Sequence, residues 1–250
     1  MRIALFSSTL DSRNGYGNIT FEYCRTLQEK GIDFVLFLPR NEQALVDSLH
    51  LTYEVRCILP PYIFECRNPH FLRYFFAPNL VGFSIVHSLL DFPYCFVAAR
   101  AAKKYRLPFM MGSQGTYGVV PLLRFPDRMV LEWCYGQAKE IIVPSVFTRD
   151  LILKHTRKSY DIRIIHNGVR FERFNRTVPP SPLRVQHAGK TILLTVGGLK
   201  ERKGQDLVLR AIAKLGTRAA NILYVLVGTG EYQSYLQALA TELGVAEKVL

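Results

Sequence analysis

The sequence predicts an α/β fold of two parallel-sheet domains, the second of them incomplete. Three observations carry this. Short apolar runs alternate with helical patterns from the first residues onward, a proline-rich polar break follows Phe174, and a fresh apolar run ending in a glycine turn begins at Thr191. Strand and helix in alternation make a parallel sheet covered on both faces. A proline-rich polar break is where one domain gives way to the next.

The first run, Ile3 to Phe6, reads as a strand that starts directly after Met1-Arg2, which leaves no room for a signal peptide. The loop from Ser7 to Gly17 carries Gly15 and Gly17. Their missing Cβ atoms would let the backbone approach a phosphate or a sugar, although a plain surface loop would use the same residues. A helix over Ile19 to Lys30 follows, with Asn18 as its N-cap, Ile19, Tyr23, Cys24 and Leu27 on one face, and Gly31 as its stop. Phe34 to Leu38 is the next strand, and others are expected near Ile85, Phe109, Ile141 and Ile164.

The first domain is expected to cover residues 1–175. Residues 176–190, opening with Arg176-Thr177-Val178-Pro179-Pro180-Ser181-Pro182, read as a linker, and residues 191–250 as the start of a second domain. There the strand Thr191 to Val196 precedes a helix with Leu207, Val208, Ala211, Ile212 and Leu215 at three-and-four spacing. A strand at Ile222 to Val227, a Gly228-Thr229-Gly230 turn, a helix from Glu231 to Leu243 and a short run at Val249-Leu250 complete it. A doubly wound sheet takes about five or six strands, so this series is expected to be the front part of a longer domain.

Composition excludes several classes. With 49% hydrophobic and 21% charged residues the chain is not disordered. The net charge of +12 is spread over both halves and favours anionic partners: sugar nucleotides, nucleic acid or an acidic membrane face. Nucleic acid is disfavoured, because the basic residues are scattered and no recognition motif is present. Five cysteines without a Cys-x-x-Cys pair indicate neither disulfides nor zinc and fit a reducing cytoplasm. The apolar stretch Leu80 to Ala102 is broken by His87, Asp91, Pro93 and Arg100, so a spanning helix is not expected and membrane contact would be peripheral, at the inner face.

Thr195-Val196-Gly197-Gly198-Leu199-Lys200-Glu201-Arg202-Lys203-Gly204 couples a strand end to a glycine turn, a basic pair and a helix start. Unpaired N–H groups at a helix start attract phosphate, and Arg202 and Lys203 add full charges beside them; a solvated turn would show the same pair. No P-loop and no Gly-x-Gly-x-x-Gly occurs, which disfavours an NTPase or a dinucleotide fold, and no Gly-x-Ser-x-Gly supports a serine hydrolase. No Asp-x-Asp and no histidine spacing calls for a metal, so no cofactor is expected.

Asn167-Gly168-Val169 with Phe174, then Val196-Gly197-Gly198-Leu199 with Lys203-Gly204, then Val227-Gly228-Thr229-Gly230, resemble in order and spacing the retaining GT-B glycosyltransferases of group 1, or family 4. Gly15-Tyr16-Gly17 looks like that family's N-terminal glycine loop. The resemblance implies two Rossmann-like domains facing a cleft, with a nucleotide-sugar donor held mainly by the second and a sugar, glycan or lipid-linked acceptor mainly by the first. Lys203, with Arg202 as helper, would meet the departing diphosphate. Gly198 stands where relatives often carry Arg, and Gln114-Gly115-Thr116 where they commonly carry His-Gly. Gln114 can position a ligand but cannot transfer a proton. His87 at a strand end, with Asp91, is either an acceptor-side group or structural; Gly228 and Gly230 admit the nucleotide or simply turn the chain; Asn167-Gly168 reads as a tight structural turn. The family's acidic pair that holds the donor's ribose and sugar has no counterpart before Leu250. The two readings are therefore a transferase of polysaccharide or glycoconjugate synthesis and an inactive, transferase-like binding module.

Overall fold

The computed structural model describes residues 1–250 apart from 14, 91, 175 and 176, and apart from the side chains of 116, 117 and 173. The chain divides into two compact units, Met1–Val169 and Arg170–Leu250. The division expected at 175 therefore touches residues outside the described ones.

The first unit is built on a seven-stranded sheet of β1 (Arg2–Phe6), β2 (Asp33–Pro39), β3 (Glu54–Leu59), β4 (Ile85–Ser88), β5 (Phe109–Gly112), β6 (Glu140–Val143) and β7 (Ile162–Ile164). Its order is β3-β2-β1-β4-β5-β6-β7, and every neighbouring pair is parallel. Among the described residues the connections hold the α-helices α1 (Gly15–Glu29), α2 (Gln43–Ser48), α3 (Tyr94–Tyr105), α4 (Thr116–Val119), α5 (Asp127–Gln137) and α6 (Val146–His155). Alternate residues of a strand face opposite sides of the sheet, and here both sides are apolar. Ala4, Phe6, Val35 and Phe37 enter one core with Cys95, Ala98, Leu131 and Cys134 of α3 and α5, while Ile3, Leu5, Leu36 and Leu38 enter a second with Cys24 and Leu27 of α1.

Two details depart from the sequence reading. β3 has no counterpart there, because it is an edge strand whose Glu54 and Arg56 break the apolar run; Arg2 donates to Glu54 at 2.6 Å. The first helix begins at Gly15, so Asn18 is not a cap but part of the first turn. The end of β1 sets this early start: the Ser7 and Thr20 hydroxyls lie 2.6 Å apart, fastening the strand to the helix. Gly31 ends the helix as expected, its N–H bonded to the Gln28 carbonyl at 2.9 Å.

The second unit holds α7 (Phe171–Phe174), α8 (Pro182–Gln186), β8 (Thr191–Val196), α9 (Gln205–Leu215), β9 (Ile222–Val227) and α10 (Gln233–Glu242). α8 falls within the stretch read as a linker; Ser181 caps it by accepting the Leu183 N–H at 3.3 Å, with Pro182 at its first position. β8 and β9 pair in parallel, and the final residues begin a third line along β9, with the Leu226 N–H on the Leu250 carbonyl at 2.8 Å. The core joins Leu209 and Ile212 of α9, Tyr224 of β9 and Leu236 and Leu239 of α10. The inner face of α9 is thus 205, 209 and 212. Leu207 and Ala211, expected inside, are exposed, because the helix is turned to bring Gln205 under the preceding glycine turn.

Candidate functional site

Open α/β sheets bind ligands beyond the carboxyl ends of their strands, where the strand order reverses. In the first unit this point lies between β1 and β4. The loop leaving β1 is shaped by Glu42, just ahead of α2, whose carboxylate accepts from the Thr9 hydroxyl at 2.6 Å and the Leu10 N–H at 3.3 Å. The Asp11 N–H donates to the Thr9 hydroxyl at 3.0 Å, and the Asp11 carboxylate receives Arg13 at 2.8 Å, a hydrogen bond that holds the Asp11 carboxyl below the usual range. Arg13 itself stays exposed to solvent.

Gln114 follows β5 at the same edge of the sheet. Its backbone carbonyl accepts from the Tyr16 hydroxyl at 3.0 Å, and its Oε1 accepts from Asn167 Nδ2 at 3.0 Å. Three segments distant in sequence meet here: the start of α1, the end of β5 and the stretch after β7. The Gln114 side chain is thus tied to the stretch after β7. Residues 165–170 contain no turn, so Asn167 is not the turn residue expected but an arm reaching Gln114.

Other first-unit expectations are corrected. Gly15 and Gly17 lie in the first turn of α1 rather than in a loop, and a Cβ on Gly17 would strike the Asp11 backbone, so this glycine admits the protein's own loop. His87 is not at an open strand end. It sits inside β4, buried, with Nδ1 3.1 Å from the Tyr23 hydroxyl, and burial lowers its pKa to about 4, which keeps the ring neutral. Asp91 lies outside the described residues.

In the second unit two turns interlock. The Gly197 N–H donates to the Val227 carbonyl at 2.9 Å, Leu199 N–H to Thr229 at 3.0 Å, and Tyr232 N–H back to Leu199 at 3.2 Å. A Cβ on Gly228 would land on the Gly197 carbonyl oxygen, and one on Gly230 on that of Leu199. Both glycines thus serve the fit between the turns. Gln205, buried at the start of α9, donates from Nε2 to the Gly198 carbonyl at 3.2 Å and fixes the turn from below. Glu201–Lys203 form one 3-10 turn, and Gly204, left-handed at φ 69°, passes the chain into α9. On this locked backbone Lys200, Arg202 and Lys203 are all exposed. The Lys200 stem crosses the bare face of Gly198, its Cε 3.9 Å from where a Cβ would stand, so a third cation accompanies the pair at the position lacking a side chain. A nearby hollow of about 340 Å³ is lined by apolar Leu199, Leu226 and Leu236 together with the polar side chains of Gln233, Gln237 and Thr241.

Two family models match this chain: Glycosyltransferase Family 4 over residues 13–173 and Glycosyl transferases group 1 over residues 184–250. The chain belongs to glycosyltransferase family 4. Its fold is of GT-B type, with a small second unit. Among similar proteins, a GDP-mannose-dependent α-(1-6)-phosphatidylinositol monomannoside mannosyltransferase of Mycolicibacterium smegmatis is 26% identical over 158 residues, 62% of this chain and 40% of that protein. HepE of Anabaena in complex with UDP matches with a TM-score of 0.71 and 15% identity, covering 100% of this chain and 68% of that one. A glycosyltransferase from Rickettsia africae matches at 0.65 and 16%, covering 100% and 67%. The family-4 match thus ends near the limit of the first unit, and the group-1 match contains both interlocked turns.

Gln205 and Glu42 did not stand out in the sequence, and Lys200, Tyr16 and Asn167 were read there as parts of motifs without these contacts. Lys200 and Gln205 flank the basic pair and could have been found there, Gln205 as the polar member of the inner stripe of α9. Nothing local links Asn167 to Gln114, or Glu42 to Thr9. Among the described residues no three His, Cys, Asp or Glu side chains gather as a metal site would require, and no helix is long and apolar enough to cross a membrane.

Proposed function

We propose that this protein transfers a sugar from a nucleotide-sugar donor to a sugar, glycan or lipid-linked acceptor with retention of anomeric configuration, in polysaccharide or glycoconjugate synthesis at the cytoplasmic face of a membrane. The observation that carries the reading is the turn 197–204, where three exposed cations stand on a backbone locked by Gly228, Gly230 and Gln205. A leaving nucleoside diphosphate gains negative charge as the sugar bond breaks, and fixed cations stabilise that state more than the intact donor. Lys203 is assigned this role, with Arg202 and Lys200 beside it. Support comes from HepE, which has been solved with UDP-glucose, and from the GDP-mannose dependence of the mycobacterial relative. Gln114, oriented by Asn167, is assigned to positioning the transferred group.

The protein as its gene encodes it should release nucleoside diphosphate from an activated sugar without added metal; a requirement for Mg²⁺ or Mn²⁺ would overturn the cationic role. Lys203→Ala should lower kcat/KM about a hundredfold, roughly 2.7 kcal/mol, while changing folding stability by less than about 0.5 kcal/mol. Lys203→Arg should keep more activity. The second reading, a binding module without turnover, is favoured by the bare Gly198 and the non-titrating Gln114. Nucleotide binding without any release of diphosphate would decide for it.

A further inference from the structure

Five glycines shape the interlocked turns of the second unit, and four of them have a backbone reason to be glycine. Gly197, Gly204 and Gly228 take positive φ, and a Cβ on Gly230 would collide with the Leu199 carbonyl. Gly198 is under neither constraint. Its φ is not positive, and a Cβ there would meet only ordinary contacts, 3.8 Å from the Thr229 carbonyl oxygen and 3.9 Å from Lys200 Cε. A side chain at 198 would stand where the Lys200 stem runs. Lys200 itself is extended, at φ −141° and ψ 143°, just ahead of the 3-10 turn that carries Arg202 and Lys203. The basic pair thus stands on the side of the turn that leads into α9, while the Lys200 stem lies back over the end of β8. Among the described residues no carboxylate pairs with any of the three, although Glu201 and Asp206 lie in the same stretch. Elsewhere exposed arginines are held by carboxylates, Arg25 by Glu29 at 3.0 Å and Arg163 by Glu140 at 2.7 Å. Three neighbouring cations without a counter-ion attract an anion from outside the chain.

From this arrangement we infer that Lys200 is a phosphate-binding residue on which diphosphate affinity depends, and that Gly198 is bare so that the Lys200 stem has a seat. The two residues act as one unit. A diphosphate offers oxygens on two phosphorus centres, so cations standing on the two sides of the turn each meet one of them. Lysine suits the strand side, because a compact ammonium with three donors needs no planar, two-pronged approach and can reach its oxygen along the backbone of a residue without a Cβ. A larger side chain at 198 would lift the stem away and leave the strand side without its charge. The inference rests on the reading of this turn as the donor's diphosphate site, and adds to it a lysine and the glycine that seats it.

Calorimetric titration of the 250-residue chain with inorganic pyrophosphate tests it directly. Lys200→Ala should weaken binding at least about tenfold. Gly198→Leu, which changes no charge and fills the seat, should weaken it as well. Gly198→Arg placed in the Lys200→Ala background should restore most of the affinity, since it returns a cation to the same ground. Lys214→Ala, which removes an exposed charge from the far end of α9, should leave binding unchanged. Circular dichroism checks that each variant is folded. Binding that survives Lys200→Ala but is lost in Lys203→Ala overturns this inference and leaves the diphosphate reading of the turn standing. Binding that survives Gly198→Leu overturns the seat, and an equal loss in Lys214→Ala would reduce the effect to net charge and overturn the inference too. Absence of pyrophosphate binding, or binding indifferent to both Lys200 and Lys203, overturns the reading of the turn together with the inference.

Discussion

The two sheets of this protein are stabilised in different ways. In the first, Ala4, Leu5, Phe6, Val35, Leu36, Phe37 and Leu38 of the central strands are wholly enclosed between two helical layers. In the second, β8 carries Leu194 61% and Val196 71% exposed, while β9 and the inner faces of α9 and α10 hold the burial. β8 contributes little to its own core and delivers the 197–204 turn to its place. The first unit owes its order to a continuous interior; the second owes the shape of its site to backbone fitted against backbone.

Paired substitutions would break this contrast if it is wrong. Phe37→Ala should cost about 3–5 kcal/mol, read as a fall in the urea midpoint of the 250-residue chain; a loss below about 1 kcal/mol would mean that the first interior is not the principal source of stability. Gly230→Ala should cost about 3 kcal/mol through collision with the Leu199 carbonyl. Amide exchange should then speed up in α9 and α10 while β1 and β2 stay protected, and uniform acceleration would show that the two units open together.

Acid sharpens the contrast further. An unfolded chain protonates a histidine near its ordinary value of about 6.5, whereas His87 stays neutral in the fold down to about 4. The unfolded state therefore takes up the proton first, and stability is full above about pH 6.5 and drains away as pH falls toward about 4. Between about pH 7 and pH 4.5 the loss from this residue should be roughly 2–3 kcal/mol, and His87→Gln should remove that part of the slope in the urea midpoint. At the other end of the scale, Leu194→Thr on β8 should shift stability by less than about 0.5 kcal/mol. A larger loss would show that β8 is structurally more than a carrier.

Much of the architecture was legible because it follows from periodicity. The apolar runs at Ile3, Phe34, Ile85, Phe109, Ile141 and Thr191 are strands, and Gly31 ends the helix it was expected to end. What escaped has physical reasons. β3 is an edge strand that alternates charge with apolar residues, and α1 starts early because a tertiary contact, Ser7 to Thr20, overrides the local preference of Asn18 for a cap. The glycines were legible as places of close approach, but a sequence does not tell whether the approaching partner is a ligand or the chain itself. At Gly17, Gly228 and Gly230 it is the chain. The basic pair could be read from spacing, whereas the Asn167 to Gln114 contact spans 53 residues and no local pattern encodes it.

That contact has an entropic consequence. A glutamine side chain gives up about 1.5–2 kcal/mol of rotamer freedom when it is immobilised, and at an unsupported surface a ligand would have to offset that loss on binding. Here the Asn167 amide holds the Gln114 side chain before any ligand arrives, while the Tyr16 hydroxyl fixes the backbone beneath it. Whatever meets the Gln114 side chain meets a group already restricted, so the contact carries little further conformational penalty.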